Sequence, residues 1–216
     1  GLQDGNKNSK IFTREINRRF LQAEPVRKVA VVISDAMRFE IGQELHTRLT
    51  GMKRFESTLE YNITNLPSYT QLGMASLLPK GDLKISEEDL VTHNGKSTAG
   101  LAPRAAILSE AARERSVALN AEELMEIPTR SEKSKELIKG NDLIYVYHNS
   151  IDKVGDDKST ESQVFQAAEK EIETLIKVVQ RLASMNMTHI HITSDHGFIY
   201  QHDVVDDSDF INAEIQ

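Results

Sequence analysis

The sequence predicts an α/β fold, a three-layer sandwich around a mostly parallel central sheet. Two observations carry this expectation. Apolar runs of strand length, Lys28 to Ser34, Leu143 to Tyr147 and His189 to Thr193, alternate with segments of helical period. Strands of that kind, apolar without interruption, are buried on both faces, which parallel sheets covered by helices require. Each run also ends in metal-ligating residue types: Ser34-Asp35, His148, and Ser194-Asp195-His196-Gly197. In such sheets ligands gather outside the carboxyl ends of the strands.

The elements follow in order. Ile11 to Ala23 reads as an amphipathic helix, with Ile11, Phe12, Ile16, Phe20 and Leu21 on one side and Pro25 as its stop. Lys28 to Ser34 is the first core strand, and Ala36 to Arg48 the helix after it. Glu56 to Thr64 alternates, with Leu59, Tyr61 and Ile63 on one face, and is expected as a strand. Pro67 to Thr70 is a loop; Gln71 to Leu78 is a short helix stopped by Pro79. Lys80 to Leu101 is polar and reads as an insertion with little regular structure. Pro103 to Arg115 is helical, with Pro in the first turn. Ser116 to Leu119 is a short strand, and Ala121 to Glu126 and Arg130 to Ile138 are helical pieces. Ser159 to Met185 is a long helix, capped by Ser159 or Thr160. Its apolar stripe is Phe165, Ala168, Ile172, Leu175, Ile176, Val179 and Leu182. By residue number the expected organisation is a helix and linker over 1–26, a core over 27–202 with the insertion at about 80–101, and an acidic tail over 203–216.

Composition removes several classes of function. The chain has 216 residues, 39% hydrophobic, enough for one large core. A net charge of -7 argues against holding nucleic acid by broad phosphate neutralisation. A single phosphate could still be bound, since metal cations reverse the field locally. Without cysteine there is no disulfide and no thiolate metal site, in keeping with a reducing cytoplasm. No apolar run reaches the roughly 18 residues of a membrane helix, and the polar start, Gly1 to Lys10, lacks the core of a signal peptide. The expectation is a cytoplasmic protein with no membrane contact.

The residues at the strand ends suit metal-assisted phosphoryl chemistry. Asp and His ligands favour zinc or manganese. Two such ions about 4 Å apart can clamp the attacking and leaving oxygens of a phosphoryl group. His148 and Asp152, spaced i, i+4, share one face of a helical turn. Thr70 is the candidate nucleophile, because it opens a short helix whose first amides face an anion; Ser68 is the rival hydroxyl. His189 and His191 alternate on one strand face and are expected in packing or support. Arg38 and Glu40 are expected as an ion pair. Lys96, Ser97 and Arg104 could bind phosphate, but loop polarity explains them equally well. His46 and His93 carry no expected role.

Val31 to Glu40, Leu66-Pro67-Ser68-Tyr69-Thr70, Met74 to Pro79, Gly95 to Gly100 followed by Arg104, and Ser194-Asp195-His196-Gly197-Phe198 form an ordered set of motifs. Together they resemble the PglZ domain, a family of the alkaline phosphatase superfamily. The likeness covers roughly Arg27 to Gln201, and the order of the motifs makes it specific. It implies an alkaline-phosphatase-like core with two divalent metal ions. It also implies a place in BREX bacteriophage-defence systems, with other BREX proteins as partners. By superfamily pattern Asp35, Thr70, Asp195 and His196 would form one metal site. Thr70 would be its nucleophile and would form a transient phosphothreonine. The second site ordinarily takes an Asp, a His four residues on, and a late His. Here His148 stands where the Asp is expected and Asp152 where the His is expected. His202, the one later His, follows too closely for the late position, so the chain is expected to stop short of that ligand.

The resulting expectation is a metal-dependent phosphoester hydrolase, a phosphatase, phosphodiesterase or nuclease-like domain, acting on a nucleic-acid or nucleotide phosphoester. The alternative is an interaction module of a multiprotein BREX complex with a weakened site, suggested by the exchanged His148 and Asp152. A phosphomutase is a third reading, but Lys80 to Leu101 is short for a substrate cap.

Overall fold

The computed structural model describes residues 7–149 and 161–197. Four parallel strands form its centre in the order β5-β6-β1-β7, with β1 Val29–Ser34, β5 Ser116–Asn120, β6 Leu143–His148 and β7 Ile190–Ser194. Every residue of β1 and β6 is buried, as their uninterrupted apolar runs require.

The pleat sorts these side chains onto two faces. Ala30, Val32, Ile144 and Val146 pack with helix α1 (Phe39–Gly51), helix α4 (Ala121–Glu126) and helix α6 (Glu161–Ser184). Val29, Val31, Ile33, Leu143, Tyr145 and Tyr147 pack on the other side. There they meet an N-terminal helix (Phe12–Leu21), helix α2 (Thr70–Ser76) and helix α3 (Leu101–Ala111). Burial of each such Val, Ile or Leu contributes about 1.5–3 kcal/mol before entropy. The N-terminal helix is wound wide: its last turn closes with an i to i+5 bond, Gln22 N donating to Asn17 O. Helix α5 (Glu132–Gly140) starts at Ser131, whose hydroxyl accepts from Ser134 N.

Three sequence expectations are corrected. Glu56 to Thr64 forms no strand; its one ladder contact is the isolated bridge Lys7–Ile63. Alternation alone makes no strand without a neighbour to pair with, and Tyr61 is left 54% exposed. Lys80 to Leu101 is more regular than expected: β2 Leu83–Ile85, β3 Val91–His93 and β4 Lys96–Ser97 make a small antiparallel sheet. The strands are two or three residues long, too short to show a period. Helix α1 begins at Phe39 rather than at Ala36, because Ala36 takes a left-handed φ of 57° that no helix accommodates. The expected caps Ser159 and Thr160 and the tail over 203–216 lie outside the described residues.

The amino ends of three strands are tied together by one carboxylate. Asp142, just before β6, accepts from Arg115 Nε (2.7 Å) and Nη2 (3.0 Å) before β5, and from Lys28 Nζ (3.3 Å) before β1. The Arg115 guanidinium, helped by Lys28, holds the Asp142 carboxyl below the usual range. A depressed carboxyl stabilises the fold above its unfolded pKa and loses that contribution as pH falls through its folded value. Asp142→Asn is therefore expected to cost about 1–2 kcal/mol at neutral pH. In thermal melts the gap from wild type should close as pH drops below the carboxylate range.

Candidate active site

The register of the parallel strands places the site. Ser34 lies opposite His148 on one side and Ser194 on the other, so β1, β6 and β7 end at one level. The next residues, Asp35 and Asp195, therefore leave the sheet side by side. Donor atoms of Asp35, Asp195 and His196 lie within 4.8 Å of one another. Thr70, the first residue of α2, joins them: its Oγ1 is 3.0 Å from His196 Nε2 and 3.5 Å from Asp35 Oδ1. His196 Nε2 is 3.5 Å from both Asp35 Oδ1 and Asp195 Oδ2.

Asp195 is fully buried. Its Oδ1 accepts from the amide of Ala36 (3.0 Å), which uses the left-handed turn there to reach it. Among the described residues its Oδ2 has no hydrogen-bond partner. Burial pushes the Asp195 carboxyl up, and the neighbouring His196 opposes that rise. A buried carboxylate oxygen without a partner is costly. One that faces a second carboxylate and an imidazole is the donor set of a divalent-cation site. His196 Nδ1 lies 3.0 Å from the carbonyl of Gly197, which can only accept. A proton on Nδ1 satisfies that carbonyl, and Nε2 is the ring nitrogen that faces the cluster, where it could serve as a metal ligand. On this chemistry the residues fit a metal ion.

Three residues hold this arrangement without having been singled out in the sequence. Asn8 is buried and donates from Nδ2 to the carbonyls of Ser194 (3.1 Å) and Asp195 (2.9 Å). Thr64 Oγ1 donates to the Asp195 carbonyl at 3.2 Å. Gly73 lets α2 lie directly on the Asp195 loop; a Cβ there would stand 2.7 Å from the Asp195 carbonyl oxygen. A glycine inside a helical pattern is a legible sign of close approach. Nothing in the local sequence marks Asn8 or Thr64.

The other expected residues are placed as follows. His148 is buried at the end of β6 and lies outside the Asp35, Asp195, His196 group. Its carbonyl accepts from the amide of Asp35 (2.9 Å). Asp152 and His202 lie outside the described residues. Ser68 is exposed, whereas Thr70 is half-buried at the cluster. Arg104 donates to the Thr98 carbonyl (2.8 Å) and lies over the Tyr147 ring; Lys96 pairs with Glu110. Burial, the largest influence on each, lowers the pKa of both His189 and His191. His46 meets Ser57 (2.8 Å) and His93 meets the Pro79 carbonyl (2.7 Å). A groove of about 670 Å³ opens beside His196 and Gly197, between β7 and the 54–64 segment, with Arg14, Arg38, Glu15 and Glu60 on its walls. No helix among the described residues is long and apolar enough to cross a membrane.

A mostly parallel sheet between helical layers, with Asp, Thr and Asp-His meeting at its carboxyl edge, has the build of an alkaline-phosphatase-like α/β domain. The BREX system PglZ alkaline phosphatase-like domain matches residues 11–216. The chain is 35% identical over 218 residues to the alkaline phosphatase-like protein BrxZ of Escherichia coli O9:H4 (strain HS), covering 98% of this chain and 24% of that protein. It is 33% identical over 218 residues to the alkaline phosphatase-like protein PglZ of Bacillus cereus (strain H3081.97), covering 98% of this chain and 25% of that one. The chain belongs to the PglZ family and spans about a quarter of the length of these relatives.

Gly73→Ala forces α2 away from backbone atoms of Asp195, so it is expected to cost about 1–3 kcal/mol. If the cluster takes an added divalent cation, its affinity, measured by calorimetry, should fall with it. Gly51→Ala, at the end of α1 with nothing within 4 Å of its Cβ, should leave both quantities unchanged or slightly improved.

Proposed function

We propose that this domain is a metal-dependent phosphoester hydrolase in which Thr70 is the nucleophile. The observation that supports this most is the meeting of Thr70 Oγ1 with Asp35, Asp195 and His196 at one sheet edge. Asp35, Asp195 and His196 would hold a divalent cation, zinc or manganese, which supplies Lewis-acid stabilisation of phosphoryl charge and makes the Thr70 hydroxyl more acidic.

The chain's own residues account for the rest. Helix α2 fixes the Thr70 hydroxyl, and Gly73 allows that helix to seat against the Asp195 loop. Thr70 Oγ1 gives up its proton to solvent and attacks phosphorus in line. The bond to the ester oxygen breaks, and the alcohol leaves with a proton from solvent. Water then cleaves the phosphothreonine, returning the Thr70 hydroxyl and releasing phosphate, or a monoester from a diester. His148 and Asp152 are the candidates for a second cation.

The groove beside His196 gives room for a second ester substituent, which favours a nucleotide or nucleic-acid diester. The net charge of -7 restricts any such binding to local contacts. The relatives' BREX setting makes other BREX proteins the expected partners, in the cytoplasm. The competing reading, an interaction module with a weakened site, draws on the position of His148 outside the three-residue cluster. Tight binding of two metal equivalents would count against it.

The test is hydrolysis of bis-p-nitrophenyl phosphate by the full-length protein with zinc or manganese. Thr70→Ala should lower kcat by roughly 10³-fold or more while metal stays bound. Asp35→Ala should lower both activity and metal affinity. Activity that survives both substitutions together overturns the mechanism.

A further inference from the structure

Period 2 carries Ser34 and His148 onto the face of the sheet that packs against α6, in line with Val32 and Val146. There they meet Glu171. This carboxylate is 0% exposed, between strands and a helix face otherwise made of Ile172, Leu175, Val178 and Leu182. Ser34 Oγ donates to Glu171 Oε1 at 2.6 Å. His148 Nδ1 stands 2.7 Å from the same oxygen, with the ring turned off the line of a well-formed hydrogen bond. Glu171 Oε2 has no hydrogen-bond partner among the described residues.

A charge in this position is expensive, and an apolar residue of similar volume would ordinarily stabilise such a core better. Its contacts indicate what it does. At 2.7 Å a lone pair on Nδ1 and one on Oε1 would repel, and Ser34 already donates its own proton to Oε1. A neutral His148 would therefore carry its proton on Nδ1 and keep its lone pair on Nε2. A carboxylate behind an imidazole is the usual support of a metal-binding histidine, because it selects the tautomer and raises the basicity of the other nitrogen. The same carboxylate braces Ser34, the residue before Asp35.

We propose that Glu171 is a positioning residue that holds His148 as its Nδ1–H tautomer, so that Nε2 is free to bind a divalent cation next to the Asp35 cluster. This rests on the metal-dependent reading above but concerns binding, not turnover, so the two can fail separately.

The experiment measures metal-free, ¹⁵N-histidine-labelled protein, with His148 identified by the signal lost in His148→Gln. It then measures zinc binding by calorimetry without substrate. In wild type His148 should be the Nδ1–H form, and two zinc equivalents should bind. Glu171→Gln and the apolar Glu171→Leu should both release His148 toward the Nε2–H form that free imidazole prefers. One zinc equivalent should weaken by roughly 10–100-fold, with the other unchanged. Glu171→Asp should recover part of the loss. An Nε2–H tautomer in wild type, a single zinc equivalent in wild type, or a tautomer and affinity unchanged in Glu171→Leu would each overturn the proposal. A wild type inactive toward phosphoesters, with the Glu171 effects intact, would instead remove the hydrolase reading and leave this one standing.

Discussion

The parallel register of β1 with its two neighbours is the constraint on which the rest depends. Ser34 sits level with His148 and with Ser194, and this common level makes the strand ends into a site. A slip of β1 by one residue would turn each of its side chains to the opposite face. Val32 would leave the α6 layer, and Asp35 would no longer stand beside Asp195. The register is held at the far end by the carboxylate of Asp142, gripped by Arg115 and Lys28, and along its length by the wholly apolar faces of β1 and β6. The same packing that stabilises the sheet therefore aligns its polar ends.

Those ends carry electrostatic stress that the core does not relieve. Asp195 and Glu171 are fully buried, and each has an oxygen without a hydrogen bond. Such groups weaken a fold, and their neighbours support the proposed roles. Asp195 faces a carboxylate and an imidazole, a set that a cation would complete. Glu171 faces a hydroxyl and an imidazole, a set that protons would complete. On the reading proposed above the site is layered: residues at the open edge would bind, and residues beneath the sheet edge would orient them. Asn8 and Thr64 add support from the side by fixing the Asp195 carbonyl.

Much of this was legible in the chain. Asp35, His148 and Asp195-His196 were visible because each follows an apolar run, and strand ends are where side chains can leave a buried sheet. Thr70 was visible because it opens a helix beside a proline-containing loop. Glu171 was harder, since it lies in the charged stretch Glu169 to Glu173. Its spacing to Leu175, Val178 and Leu182 nevertheless sets it on the apolar stripe, and a charge on that stripe was the available signal. The alternation of Glu56 to Thr64 misled, because the pattern describes a strand's faces but not the presence of a partner.

The sequence by itself determined the order along the chain of the four core strands, the burial of β1 and β6 on both faces, and the residue types offered at the sheet's carboxyl edge. These depend on periodicity and composition, which are local. Only the tertiary structure decided which of those residues meet. Thr70 reaches His196 across 126 positions, and Asn8 reaches Asp195 across 187. Contacts over such distances follow from the register of the parallel strands and the close seating of α2 on the Asp195 loop. Neither leaves a pattern within any short stretch of chain.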